Sequence, residues 1–326
     1  MKKIVVFFCG NILAILLFLL LSYFSLPLAS PSLQNYYILK DHINQTTPKG
    51  KKRLLIMSAS DGMFGIIGEM IDKETEYYPV NYSMFFGTGL DLEFRINKLM
   101  SILKKGDTIL LPLNYGFYTI NKNPQYFSYY QNMLSWGDSD FFYKHPLLTL
   151  QTLFKSPPSI IPTGFIKQLI AYIKKKKVIA NAQDRWAKNL PLFNGVGIDS
   201  IDRYGELRWH NGTNFNKHIP YEYIKDDFYI SPYFLEQYKK LKYFCDKNHI
   251  KIIVTYPPMA KNVKQKSFLE KAKKLKQKLI KQKIQICGNP ENFQFDFFYF
   301  YDSPYHLNTE GAKKYTKELI KILNRS

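Results

Sequence analysis

One feature limits this chain more than any other. From Ile4 to Phe24 the residues form an almost unbroken apolar run, diluted only by Gly10, Asn11 and Ser22. That matches the roughly 20 residues a helix needs to cross a bilayer. Lys2 and Lys3 precede the run, and the next basic residue after it is Lys40. Lys and Arg bias fixes orientation, so residues 1–3 are expected in the cytoplasm and the rest of the chain outside it. A cleaved signal peptide is the competing reading. The run is long for one, and Leu28-Ala29-Ser30 is a poor cleavage site. The expectation is therefore an uncleaved, single-pass anchor over residues 4–24 of a cell membrane. Residues 25–52, with Pro27, Pro31, Pro48 and Gly50, read as a linker.

The remainder is long enough for one large domain. With 46% hydrophobic and 22% charged residues the chain can build a core, and global disorder is excluded. The formal net charge is +20. Such a balance suits nucleic acid, an anionic surface or an anionic polymer. An external domain on a membrane anchor argues against nucleic acid. Many lysines, such as those between Lys264 and Lys283, read first as a solvated helix face. Cys9 lies in the apolar run, and Cys245 and Cys287 are either a bridge or, the favoured reading, two buried thiols. No cysteine or histidine spacing resembles a metal site, and no cofactor motif is present.

Past residue 52 the pattern alternates. Arg53–Ser58 reads as a buried strand, Met63–Asp72 as a helix and Tyr78–Met84 as a second strand. Leu90–Lys104 places Leu92, Ile96, Leu99, Met100 and Leu103 on one helical face, Gly106 stops that helix, and Asp107–Leu113 is a third strand. Residues 115–230 are less periodic, with one expected helix over Thr163–Lys177, and read as an insertion. The alternation then resumes. Helices are expected over Tyr233–Asn248, Ser267–Gln282 and Asn308–Leu323, and strands over Ile250–Tyr256 and Ile284–Cys287. Strand-helix alternation predicts an α/β fold, a three-layer α/β/α domain with a mostly parallel sheet over residues 53–326.

Two segments at opposite ends of that domain carry reactive side chains. Ser58-Ala59-Ser60-Asp61-Gly62-Met63-Phe64-Gly65 follows the first strand directly. A serine on such a turn sits at the carboxyl edge of the sheet, where open α/β sheets bind ligands. The helix start beside it offers unpaired N–H groups to a developing oxyanion. Asp302-Ser303-Pro304-Tyr305-His306-Leu307-Asn308 precedes the last helix. A nucleophilic serine needs a base, and the base an orienting acid. Ser60 reads equally as a helix cap and His306 as a buried hydrogen-bonding residue, so composition and spacing alone leave the matter open.

These two blocks resemble the SGNH (GDSL-like) hydrolases, in particular their membrane-tethered bacterial branch. That branch is similar to polysaccharide O-acetyltransferases and esterases and to the D-alanyl transfer protein of teichoic acids. Its first block often reads small-Ser-Ser-Asn-x-x-Phe-Gly, which Ser60 to Gly65 fits with Asp61 in place of Asn. Its last often reads Asp, then Tyr-His-Leu-Asn and a Gly, which Asp302, Tyr305 to Asn308 and Gly311 fit. The resemblance spans roughly residues 53–118 and 233–326. It implies Ser60 as nucleophile, His306 as base and Asp302 as orienting acid, with Gly87 (preferred over Gly89) and Asn114 as oxyanion donors and no cofactor. The chain departs from the pattern in lacking Gly-Asp before the serine, in an Asp-x-x-x-His spacing, and in its third block. The implied function is acyl transfer or ester hydrolysis on a cell-envelope glycan, beside a multi-pass membrane acyltransferase. The alternative is a catalytically silent, polysaccharide-binding or assembly subunit.

Overall fold

The computed structural model describes residues 2–25, 31–48, 50–85, 89–121, 146–147, 160–188, 197–208, 211–213, 228–261 and 265–325. The chain divides into two compact units. One comprises Met1–Leu39 and Pro124–Asp184, the other Lys40–Asn123 and Arg185–Ser326.

The first unit is helical where described. It contains α1 (Lys2–Ser25), the start of α2 (Pro31–Gln45) and most of α7 (Ile160–Ala187). Side chains of α1 are described over residues 6–18 and at residue 20. Taken over the described residues, no helix is long and apolar enough to cross a membrane. The expected transmembrane segment is therefore not part of the fold established here.

The second unit carries the sheet. Its elements are β1 (Lys52–Ile56), α3 (Ser60–Gly65), α4 (Gly68–Glu74), β2 (Tyr77–Asn81), α5 (Gly89–Ile102), β3 (Thr108–Pro112) and α6 (Tyr115–Thr119). After the excursion through α7 come α8 (Pro232–Lys247), β4 (Lys251–Thr255), β5 (Met259–Ala260), α9 (Gln265–Lys281), β6 (Ile286–Cys287), β7 (Gln294–Phe295) and α10 (Thr309–Leu323). Five strands form one sheet in the order β2-β1-β3-β4-β6, and β5 pairs with β7 separately. Every pairing in the large sheet is parallel, with Leu54 opposite Thr108 and Ile109 opposite Ile252. The strands are buried on both faces, which is why they read as continuous apolar runs and not as alternation. From β1 the chain steps to β2 on one side and then returns to β3 on the other. The carboxyl ends of β1 and β3 therefore flank the crevice where strand order reverses.

The helices bury the faces their periodicity marks. Ala312, Tyr315, Leu319 and Leu323 of α10 are buried, as are Phe268, Ala272, Leu275 and Leu279 of α9. Leu92, Ile96 and Leu99 do the same for α5, and Gly106 follows it at φ +87, the left-handed turn a glycine takes at little cost. Asn308 caps α10 by accepting from Gly311 N, and Ser231 caps α8 by accepting from Phe234 N.

Four sequence expectations change. The single helix over Met63–Asp72 is two, α3 and α4, parted at Ile66 and Ile67, whose backbones are extended. Ile67 N donates to Thr316 Oγ1 of α10 there, a tertiary bond that takes over from the helix ladder. The lysine run 174–177 does not end its helix. Those side chains are exposed, and lysine is a good helix former on a solvated face. Helix α2 occupies residues read as a linker, because Pro31 sits at its first position, where a missing N–H costs nothing. Finally, residues 115–119 and 197–208 of the expected insertion belong to the sheet-bearing unit. Asn81 N donates to Tyr204 O and Leu207 N to Met63 O, so 197–208 covers the β2 end of the sheet. Buried polar groups pin this cover. Glu206 is fully buried and accepts from Gly68 N at 2.7 Å. Lys40 is also fully buried, donating to Asn81 O at 2.5 Å and Gly205 O at 2.6 Å.

Candidate active site

Ser60 opens α3 four residues past the end of β1, and its side chain is half-buried. The turn before it is held from several sides. Met57 N donates to Leu110 O and Met84 N to Ser58 O, extending strand-like bonding beyond β1. Arg95, on the buried face of α5, donates from Nη1 to Ser58 O at 3.0 Å and Met84 O at 3.3 Å, and from Nη2 to Phe85 O. Asn81, the last residue of β2, donates from Nδ2 to Gly62 O at 2.9 Å and accepts from Ser83 N. A Cβ on Gly62 would lie 2.4 Å from Ser83 Oγ and 2.7 Å from Ser58 Cβ, so the turn closes only around a glycine.

The second segment arrives from the other end of the chain. His306 Nε2 lies 2.8 Å from Ser60 Oγ, and His306 Nδ1 lies 2.7 Å from Asp302 Oδ1. In a neutral imidazole these distances fit Nδ1–H donating to the carboxylate and Nε2 accepting the serine proton. The ring stacks on Phe64, centroids 4.2 Å apart and planes 7° apart, and this fixes its tilt. Its loop is closed by Tyr301 N donating to His306 O at 2.8 Å, and by Ser303 Oγ accepting from His306 N at 3.1 Å. That closed turn is what lets a four-residue spacing bring the carboxylate back to the imidazole. Asp302 remains 46% exposed at its side chain, against 20% for His306.

The remaining expected residues fare differently. Asn114 caps α6 beyond β3, its Oδ1 accepting from Gly116 N at 3.0 Å, so the donor half of its amide is the part left for a ligand. Ser58 Oγ reaches Pro112 O at 2.5 Å, tying the Ser60 turn to the β3 end that carries Asn114. Gly87 lies outside the described residues.

Ser58 raises a proton-counting question. Its one hydroxyl proton faces two oxygens, Pro112 O at 2.5 Å and Asp61 Oδ1 at 3.0 Å. A carbonyl only accepts, so the nearer bond takes the Ser58 proton. Asp61 Oδ1 faces the same hydroxyl at 3.0 Å, and only where the carboxyl takes up a proton, below about pH 6, can it donate to Ser58 Oγ in return. Burial pushes the Asp61 carboxyl up to about 6, against the Ser58 bond and the nearby His306, which favour its charge. Its Oδ2 is buried with no hydrogen-bond partner, which also suits a neutral acid.

Sequence reasoning missed Arg95, Asn81, Phe64 and the Ser58–Asp61 pair. A signal for Arg95 existed: it falls on the apolar face between Leu92 and Ile96, where an arginine must find acceptors. Nothing in the sequence pointed to Asn81 as the joint between the Ser60 turn and residues 197–208.

In comparisons with known proteins, no family model matches the chain and no curated protein shows significant similarity to it.

Proposed function

We propose that this protein is a serine-dependent acyltransferase or esterase of the SGNH type, acting on an ester-linked acyl group, foremost acetyl, of a cell-envelope glycan. One observation carries the reading: two hydrogen bonds link Asp302, His306 and Ser60 in series at the switch point of a parallel sheet. In this reading Ser60 Oγ attacks the acyl carbonyl and its proton passes to His306 Nε2. Asp302 stabilises the imidazolium formed. The tetrahedral oxyanion collects donors from the start of α3 and from Asn114. Collapse expels the sugar oxygen, which takes the proton from His306 and leaves acyl-Ser60. A water or a second sugar hydroxyl then attacks, giving its proton to His306, and as the acyl–Oγ bond breaks the acyl group leaves on the new oxygen while Ser60 Oγ takes that proton back from His306 Nε2. Below about pH 6, where Asp61 takes up a proton, its carboxyl has the shape and the donor and acceptor halves of the asparagine found there in the similar branch.

The membrane setting belongs to the same proposal. Val6, Phe7, Ile12, Leu13, Leu16 and Leu17 of α1 are all more than half exposed, an apolar surface of the kind that lipid or another hydrophobic partner covers. Anchored there, with its remainder outside the cytoplasm, the chain would meet exported polysaccharide beside a multi-pass acyltransferase. A fluorophosphonate probe tests the chemistry directly. The wild-type chain should label and Ser60→Ala should not. A folded wild-type chain that never labels would favour the silent assembly subunit instead. Activity of a C-terminal alkaline phosphatase fusion tests the orientation, and an inactive fusion would overturn it.

A further inference from the structure

The sequence between Asp140 and Asp184 holds seven lysines and no Asp, Glu or Arg. All of it belongs to the first compact unit. Lys174, Lys175, Lys176 and Lys177 are consecutive on α7 and exposed. At about 100° per residue, four consecutive positions encircle a helix. The next acidic residue along α7, Asp184, is seven positions past Lys177, so no pair one turn away offsets this ring. Among the described residues none of the four is held in an ion pair. One to two turns earlier the same helix presents isoleucines to solvent. Ile166, Ile170 and Ile173 are 57%, 42% and 67% exposed. Spaced i, i+4 and i+7, they share about 60° of the circumference, and Lys177 continues their stripe.

Among the described residues, the sheet-bearing unit exposes its large apolar side chains singly, as at Tyr229, Tyr243, Ile280 and Phe298. The first unit groups them, on α1 and on this stripe of α7. Isoleucines closed off by a lysine ring ask two things of whatever covers them: an apolar layer and, about one helical turn away, a layer of negative charge. An anionic polysaccharide supplies the charge without the apolar layer, and an apolar protein face supplies the reverse. A bilayer surface with anionic phospholipid supplies both, because acyl chains lie under the phosphates and lysine stems carry their ammonium heads up to them. The stretch from Ile160 to Ile173 rises about 21 Å as a helix, short of the roughly 30 Å hydrocarbon core. That length suits a helix lying in the interface, not one that crosses it.

We infer that α7 is an interfacial helix that binds anionic phospholipid, with Ile166, Ile170 and Ile173 among the acyl chains and Lys174 to Lys177 on the headgroup phosphates. The inference rests on the membrane setting proposed above and deepens it. A chain held by one apolar helix swivels on it. A second contact, through α7, holds the first unit to the bilayer at two places and restricts that swivel.

The full chain is reconstituted into vesicles of phosphatidylcholine, alone or mixed with phosphatidylglycerol at about 3:1. One variant carries the photoreactive substitution Ile170→p-benzoylphenylalanine and a second carries Leu13→p-benzoylphenylalanine on α1. After irradiation, lipid adducts on each are quantified by mass spectrometry. The probe at 170 should trap phospholipid at least about fivefold more in the mixed vesicles than in phosphatidylcholine alone, and about 0.5 M salt should remove most of that excess. Adding Lys174→Gln, Lys175→Gln, Lys176→Gln and Lys177→Gln should bring the yield down to the phosphatidylcholine level. These side chains and Ile170 are exposed, so the fold does not depend on them. The probe at 13 should trap lipid equally in both vesicles. The interfacial helix is overturned if the probe at 170 traps no lipid, traps a second copy of the chain in place of lipid, or gives equal yields in the two vesicles. A glutamine variant that traps lipid like its parent overturns it as well. Failure of the α1 anchor looks different: no lipid at 13, with trapping at 170 intact.

Discussion

The two loops that meet at the candidate active site are held in opposite ways. The Ser60 turn is embedded. Ser58 and Asp61 are buried, and Arg95 and Asn81 supply bonds to its carbonyls from two other elements. The His306 loop is shaped mainly by its own backbone, by Ser303 and by the Phe64 ring, and its carboxylate is half in solvent. The proposed nucleophile thus stands on a turn whose geometry is tied to the stability of the unit. The proposed base and acid stand on one that can lose a side chain with little cost to folding. Substitutions should separate along that line.

The largest effect belongs to the reacting atoms. Ser60→Ala and His306→Ala should each lower turnover on an acylated substrate by about 10⁴-fold or more, and the double variant should be no worse than either. Both should unfold near the wild-type temperature. A strongly destabilised His306→Ala chain would erase the contrast between the loops.

Next come the supports of the Ser60 turn. Arg95→Met leaves three carbonyls, Ser58, Met84 and Phe85, without that donor. It should cost about 3 kcal/mol of stability in denaturant titration, with fluorophosphonate labelling falling in parallel. An Arg95→Met chain as stable as wild type would show that the turn is not fixed by α5.

Asp61 gives a pH signature of comparable size. Its folded pKa, about 6, lies above the usual carboxylate value, so the folded state holds this proton more tightly than the unfolded one. The associated stability is complete below about pH 4 and is lost as pH rises through about 6, roughly 3 kcal/mol in all. Asp61→Asn keeps a neutral group of the same shape and should remove that slope from a plot of unfolding free energy against pH. A variant whose stability falls as steeply as wild type over this range would refute a protonated Asp61.

The smallest expected effect is at Asp302. Its exposure lets water replace it beside His306 Nδ1, so Asp302→Ala should lower turnover by about 10- to 100-fold, well short of the His306→Ala loss. A loss equal to that of His306→Ala would mean that the outer loop is as tightly committed as the inner turn.

Much of the scaffold was legible because parallel strands are buried on both faces. Runs such as Leu54-Leu55-Ile56 and Ile109-Leu110-Leu111 admit little else, and the amphipathic spacing of α9 and α10 is strong. Ser60, His306 and Asp302 stood at the edges of those elements, which alone left their roles open, and it was the resemblance of the two blocks to the SGNH pattern that singled them out. The break at Ile66 and Ile67 was not, because Thr316, nearly 250 positions away, supplies the bond that makes it. The role of residues 197–208 was hidden too. Its anchors are polar, Asp202 and Glu206, and a periodicity of apolar residues cannot reveal a segment fastened by carboxylates.

The buried Lys40 has a consequence for anyone cutting this protein. Its ammonium site closes on the carbonyls of Asn81 and Gly205, and in the same helix Ile43 is buried and Asn44 Oδ1 accepts from Arg53. A protease acting between Gln45 and Lys52 would therefore not release a tidy sheet-bearing fragment. It would remove an internal strut, leaving the end of β2 and the Gly205 turn with an empty socket. The shortest piece expected to fold begins upstream of Lys40, so the stretch that looked like a tether is part of the body it was thought to hold.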